Sequence, residues 1–180
     1  MTTATFAKGL EGIVAAETEM SHIDGVEGVL EYVGISIGDL AKHSTFEETV
    51  FLLWNKRLPN AQELKHFTHD LQQRYELPAG MEQRLTSVPT NAEPMHVLRT
   101  MISALAMHDD EPNIVDDPIR VRRKCLNILA HAPTIVAYFD RYRRGLDIVH
   151  PDKSLTFSEN FLNMLNGEKP TDTMARAFDI

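Results

Sequence analysis

The spacing of apolar residues changes once along the chain. Up to Gly38 they come in short runs, Ile13 to Thr18 and Val29 to Ile37, punctuated by Gly9, Gly12, Gly25, Gly28, Gly34 and Gly38. Runs that are rich in β-branched or aromatic residues and too short for buried helices predict a small extended, hairpin-like segment turning at Asp24-Gly25. From Asp39 onward the period is helical, and start and stop signals become frequent.

Each predicted helix has its own boundary chemistry. Ser44-Thr45-Phe46-Glu47 reads as a capping box, in which a hydroxyl accepts an orphan backbone N–H while a carboxylate reaches back to the cap. The helix behind it carries Val50, Leu53 and Trp54 and stops at Pro59. Asn60 to Glu63 opens a second helix, with Leu64, Phe67 and Leu71 at helical spacing and Leu77-Pro78 closing it. A short helix follows Pro78. Pro94 then occupies a first-turn position where its missing N–H is harmless, ahead of a stripe of Met95, Leu98, Ile102 and Leu105. Asp117-Pro118 repeats the device, and Pro133 is expected to open a further helix carrying Ile135, Val136, Phe139 and Tyr142 up to Gly145. Thr156 to Glu159 is another capping box, leading into Phe161, Leu162 and Leu165 with Gly167 at the exit. Thr171 caps a last helix expected to be still running at Ile180, as if the chain were cut. The pattern predicts an all-α, globular multi-helix domain with a small β-hairpin-like element near its N-terminus.

Composition narrows the function classes. The 180 residues are 43% hydrophobic and 24% charged, ordinary for one compact domain. A formal charge of -8 argues against a nucleic-acid partner, which needs a basic stripe to replace phosphate counterions. The densest basic cluster, Arg120, Arg122, Arg123 and Lys124, is interleaved with Ile119, Val121, Cys125 and Leu126, so it reads as the wet side of an amphipathic helix. One cysteine, Cys125, makes no internal disulfide and fits a reducing compartment, the cytoplasm being the simplest. Residues 1–8 read as a flexible polar tail without a signal core, and no window approaches the ~20 apolar residues of a membrane span.

The histidines carry little visible chemistry. His66 and His69, three apart with Asp70 adjacent, could face one metal, but they sit in a polar stretch and read as a solvated helix face. His96, and His108 beside Asp109-Asp110-Glu111, read the same way. His22 and His43 lie near the β element with nothing to pair them. There is no phosphate-cradling glycine loop, nucleophile elbow or Cys-His signature, and neither a metal nor a cofactor is expected.

Three blocks, in order, resemble the citrate synthase family. Gly9 to Pro59, GLEGIVAAETEMSHIDGVEGVLEYVGISIGDLAKHSTFEETVFLLWNKRLP, is similar to that family's N-terminal signature. PMHVLRTMISAL, from Pro94, resembles its Pro-Met-Asp-x-Leu-Arg-Thr helix, and ENFLNMLNGEKPT, from Glu159, its Asn-Phe-Leu-x-Met-Leu-x-Gly helix and exit. The chain departs from the pattern at Glu93-Pro94-Met95-His96, where the family often has His-Pro-Met-Asp, and at Phe157, near which a histidine or other polar ring is common.

The resemblance implies residues 9–180 of a helical large domain, truncated before the catalytic motifs. Its members condense acetyl-CoA with oxaloacetate and hydrolyse the citryl thioester, the first step of the tricarboxylic acid cycle. That chemistry needs a carboxylate base for a weakly acidic methyl proton and two imidazoles, one for the enolate and one for the ketone. By resemblance these two histidines and an aspartate come after Ile180, so no catalytic residue is expected here and the chain alone is expected to be inactive. Phe157 and Asn160 are the positions implied at the wall of the oxaloacetate pocket, with a core role for Phe157 as the alternative. The resemblance also implies a homodimer. A 2-methylcitrate synthase using propionyl-CoA, or a non-catalytic helical interaction module of the same fold, are the other readings.

Overall fold

The computed structural model describes residues 9, 14, 16–109 and 116–180. The expected tail, residues 1–8, lies outside the described residues, as do Ile13 and Ala15 of the first apolar run and Asp110-Glu111 of the acidic run. Three short antiparallel strands, β1 (Ser21–Asp24), β2 (Val29–Tyr32) and β3 (Ile35–Ser36), form one sheet in the order β1-β2-β3. Asp24 pairs with Val29 across the first turn, and its Oδ1 accepts the N–H groups of Val26 (2.9 Å) and Glu27 (3.0 Å). That side-chain turn is the one expected at Asp24-Gly25.

Two details differ from the sequence expectation. The first strand lies at Ser21–Asp24, and the described residues of the Ile13–Thr18 run belong to no strand. The second run is broken by Val33-Gly34, both at positive φ (51° and 76°), which is what a two-residue turn of the hairpin type requires. The element is therefore three-stranded, and Ile37 opens a helix instead of ending a strand.

Eight α-helices follow among the described residues: α1 (Ile37–His43), α2 (Phe46–Asn55), α3 (Ala61–Gln72), α4 (Met81–Thr86), α5 (Pro94–Leu105), α6 (Pro118–Arg143), α7 (Phe157–Asn166) and α8 (Asp172–Asp179). The fold is all-α apart from the small sheet. Asn60/Glu63 and Thr156/Glu159 form the expected capping boxes, and Pro94 and Pro118 begin α5 and α6. Beyond Arg143, Gly145 closes α6 with paired bonds from Gly145 N–H to the Tyr142 carbonyl (3.0 Å) and from Leu146 N–H to the Arg141 carbonyl (2.9 Å), a Schellman closure. Thr171 caps α8, which ends at Asp179.

Three helix expectations are corrected. The box before α2 is Thr45/Glu48, one residue later than Ser44/Glu47, because the Ser44 N–H already closes α1 on the Leu40 carbonyl (2.8 Å). Of the expected α5 stripe, Leu98, Ile102 and Leu105 are half-buried against the core but Met95 is 65% exposed, and the fully buried positions are Val97, Met101 and Ala104. Pro133 starts no new helix: α6 runs through it for 26 residues. A proline there removes one i→i−4 bond, a local cost offset by burying side chains on both sides of it.

Those side chains belong to two cores. Leu126 and Ala130, before Pro133, join Phe51, Phe67, Leu71 and Tyr75 from α2, α3 and the loop behind it. Ile135, Ala137, Tyr138 and Phe139, after it, join Met81, Leu85, Val97, Met101 and Met164 from α4, α5 and α7. Among the described residues no helix is long and apolar enough to cross a membrane.

Candidate functional site

The site implied at Phe157 and Asn160 is built on the first turn of α7. Thr156 caps that turn, and Glu159 returns to the Thr156 N–H (2.9 Å). This leaves the N–H of Phe157, the first helical residue, as an orphan donor. It is satisfied from α2: the Glu47 Oε1 accepts it at 3.1 Å. Phe46, one residue earlier on α2, stacks its ring on Phe157 with centroids 4.0 Å apart and planes within 10°. The Tyr75 ring closes the third side at 6.4 Å.

α8 reaches the same joint from its last turn. Asp179 Oδ1 accepts the Phe46 N–H (3.3 Å) and the Ser158 hydroxyl (2.8 Å). Two carboxylates thus serve helix N-termini not their own, where the macrodipole favours negative charge. Arg176 lies beside Asp179 at 3.3 Å and donates to the carbonyls of Ala41, Lys42 and Ser44 at the end of α1. A cation at that C-terminus completes the same logic.

Glu47 is 4% exposed. Burial pushes its carboxyl above the ordinary glutamate range, the Phe157 N–H pulls the other way, and the negative charges of Asp179 and Glu48 add to the rise. Tyr75 is buried beside it with a hydroxyl that has no hydrogen-bond partner, and burial, then the Glu47 charge, raises its phenol. The joint can therefore hold or give up a proton at Glu47.

Asn160 faces elsewhere. It is fully buried, its Oδ1 accepts the Asp152 N–H (3.0 Å), and its Nδ2 is buried without a partner. Asp152 in turn accepts from the Ser154 N–H and hydroxyl, which hold its carboxyl below the usual range. Phe157 and Asn160 thus share one helix but not one contact set: the first grips α2, the second fixes the loop ahead of α7. The groove beside the joint, about 360 Å³, is lined by Tyr32, Leu40, Thr45, Phe46 and Phe178.

The other residues weighed from sequence lie apart. His66 and His69 are on the exposed face of α3, with His66 Nε2 3.7 Å from Asp70 Oδ2. Among the described residues no group of three His, Cys, Asp or Glu could hold a metal. Of the basic cluster, Arg122 lies over the Trp54 ring at 5.4 Å and donates to Asn55 (3.0 Å), Arg120 pairs with Asp117 and Lys124 with Asp109.

Sequence reasoning missed Glu47, Asp179 and His131. His131 is buried, with Nε2 3.0 Å from the Glu76 carbonyl, while Thr134 donates to the Tyr75 carbonyl (2.9 Å). A carbonyl only accepts, so Nε2 carries the proton and Nδ1 presents a buried lone pair without a partner. Burial holds this imidazole below the usual range, with Arg74 adding to the effect and the bond to Glu76 opposing it. A signal for Glu47 existed: Ser44-Thr45-Phe46-Glu47-Glu48 contains two overlapping capping boxes, and the glutamate not used by the cap is free to turn inward.

Against known proteins, a family model described as "Citrate synthase, C-terminal domain" matches residues 9–180. The chain is 39% identical over 177 residues to a citrate synthase of Haloferax volcanii, covering 96% of this chain and 46% of that protein. It is 37% identical over 172 residues to a 2-methylcitrate synthase of Mycobacterium tuberculosis, covering 96% and 43%. The crystal structure of citrate synthase from Pyrobaculum aerophilum superposes with a TM-score of 0.88 at 31% identity, covering 95% of this chain and 44% of that one. The chain spans about half the length of the curated relatives it matches.

Proposed function

The chain belongs to the citrate synthase family, and from that membership we propose that it is the N-terminal part of the helical large domain of an acyl-transferring enzyme that makes citrate from acetyl-CoA, oxaloacetate and water. The two histidines and the aspartate of the chemistry come from outside these 180 residues. The observation that carries this reading is the match of the family model to residues 9–180, together with a citrate synthase relative of which the chain covers 46%.

In this reading the first turn of α7 gives the oxaloacetate pocket part of its wall, through Phe157 and Asn160. Both are fixed before substrate arrives, Phe157 by the α2 ring and carboxylate and Asn160 by the Asp152 amide. Pre-ordered walls lower the entropic cost of orienting a small dicarboxylate. The protein works as a cytoplasmic homodimer; the apolar surface of Pro94, Met95, Leu98 and Val136 between α5 and α6 supports self-association.

The test is release of free CoA from acetyl-CoA and oxaloacetate by residues 1–180, alone and mixed with the C-terminal half of a family member. Turnover only in the mixture is expected; turnover by the 180 residues alone overturns the reading, and no turnover in any folded mixture favours a non-catalytic interaction module. The likeness to 2-methylcitrate synthases favours propionyl-CoA as the second donor to assay. The ratio of the two rates decides between the activities, a selection that depends on pocket contacts.

A further inference from the structure

The joint of α2, α7 and α8 contains a titratable group that the proposed reaction does not use. Glu47 is buried, sits in the first turn of α2, and spends one carboxylate oxygen on the amide of Phe157 at the start of α7. We propose that Glu47 is a positioning residue: its charged carboxylate holds the first turn of α7 through the Phe157 amide, and protonation relaxes that grip. The wall that α7 gives to the dicarboxylate pocket then answers to proton concentration, a consequence that rests on the reading under Proposed function.

The geometry assigns this role to Glu47 above its neighbours. Phe46 and Glu47 are consecutive, and they hold Phe157 by ring and by amide, so a change at the carboxylate is felt by a side chain already stacked at 4.0 Å. An N–H bond to an ionised carboxylate is roughly twice as strong as one to a neutral acceptor. The charged and titratable groups facing Glu47 come from three elements: Glu48 from α2, Asp179 from α8 and Tyr75 from the loop after α3. Arg176, the cation of α8, directs its N–H groups to Asp179 and to the α1 carbonyls. Asp179 therefore has a counter-ion at 3.3 Å together with its own donors, Phe46 N–H and Ser158 Oγ–H. Glu47 has the Phe157 amide as its donor from another helix and two carboxylates for neighbours. Protonation of Glu47 is transmitted to α7 by one bond, its contact with the Phe157 amide.

The experiment is a proton–nitrogen correlation titration of the full 180-residue chain from about pH 8 down to about pH 4, which brackets the ordinary glutamate value. The Phe157 amide proton is expected to move upfield as pH falls, with a midpoint above 4.5, and the Glu47 side-chain carboxyl carbon to move with the same midpoint. In Glu47→Gln the amide oxygen still accepts from Phe157, so the fold persists and the Phe157 titration is lost. In Asp179→Asn, which removes one negative neighbour, the Phe157 midpoint shifts to lower pH. A Phe157 amide that does not titrate in the wild type, or that titrates unchanged in Glu47→Gln, overturns the proposal. Should Glu47→Gln fail to fold, the direction of the Asp179→Asn shift decides, an unmoved or raised midpoint counting against it. No substrate is present, so a failed titration removes the grip whatever the CoA assay gives, and a failed assay removes the pocket reading with the grip intact.

Discussion

Glu47 Oε1 lies 3.1 Å from the backbone nitrogen of Phe157, 110 residues further along the chain. The bond ties the first turn of α2 to the first turn of α7, and it satisfies a donor that α7 cannot satisfy itself. Glu47→Ala strands that half-buried N–H and is expected to cost about 1–3 kcal/mol in urea denaturation.

Glu47→Gln is expected to do the opposite at neutral pH. Burying the Glu47 charge costs more than its stronger bond to the Phe157 amide returns, so the folded-state value is raised, and its contribution to stability is full below the ordinary 4.5 and is lost as pH rises through the folded value. Glutamine keeps an acceptor and cannot ionise. The variant should therefore gain on the wild type as pH rises through that window; identical denaturation midpoints at every pH would contradict it.

His131 carries the reverse sign. Its imidazole is held below the ordinary 6.5, chiefly by burial, so its contribution is present above 6.5 and is lost as pH falls from there toward the folded value. Thermal unfolding followed from neutral to mildly acidic pH should show a falling melting temperature, and His131→Gln should flatten that limb. A slope unchanged in the variant would assign acid sensitivity to another group.

Two methionines on α5 differ in what covers them. Met101 is 1% exposed, and Met101→Ala is expected to cost about 2–5 kcal/mol. Met95→Ala, at a position 65% exposed, should stay within about 0.5 kcal/mol in the monomeric state. Equal losses in chemical denaturation would mean that α5 is rotated from the face described.

Gly167 and Gly145 end helices in the left-handed region, at φ 86° and 69°. A Cβ at Gly145 meets nothing within 4 Å, so Gly145→Ala is expected to cost only the backbone strain, about 1–2 kcal/mol. A Cβ at Gly167 would come 2.9 Å from Nη1 of the buried Arg141, which donates to the Leu165 carbonyl. Gly167→Ala should be the more destabilising of the two by differential scanning calorimetry.

The features legible in the sequence were those decided within a few residues. Pro94 and Pro118 at first-turn positions, the Asn60/Glu63 and Thr156/Glu159 boxes, and the glycines after α6 and α7 all report local backbone chemistry. What spacing alone did not give was set by distant partners. Ser44 and Glu47 form an acceptable box by themselves; the Leu40 carbonyl and the Phe157 amide claim them. Pro133 is an equally good helix start, until side chains on both sides of it are buried by different neighbours. The grip on Phe157 was hidden for the same reason, because its two halves are 110 residues apart.

α6, 26 residues and about 39 Å long at 1.5 Å per residue, belongs to both cores, and Pro133 falls at the seam between them. The carbonyl one turn before it has no proline N–H to receive, so the backbone ladder is weakest where the sets of neighbours change. Amide hydrogen exchange should consequently divide the longest helix into two opening units, one leaving with α2 and α3 and the other with α4, α5 and α7. A single continuous rod would then be protected as two separate pieces of the protein.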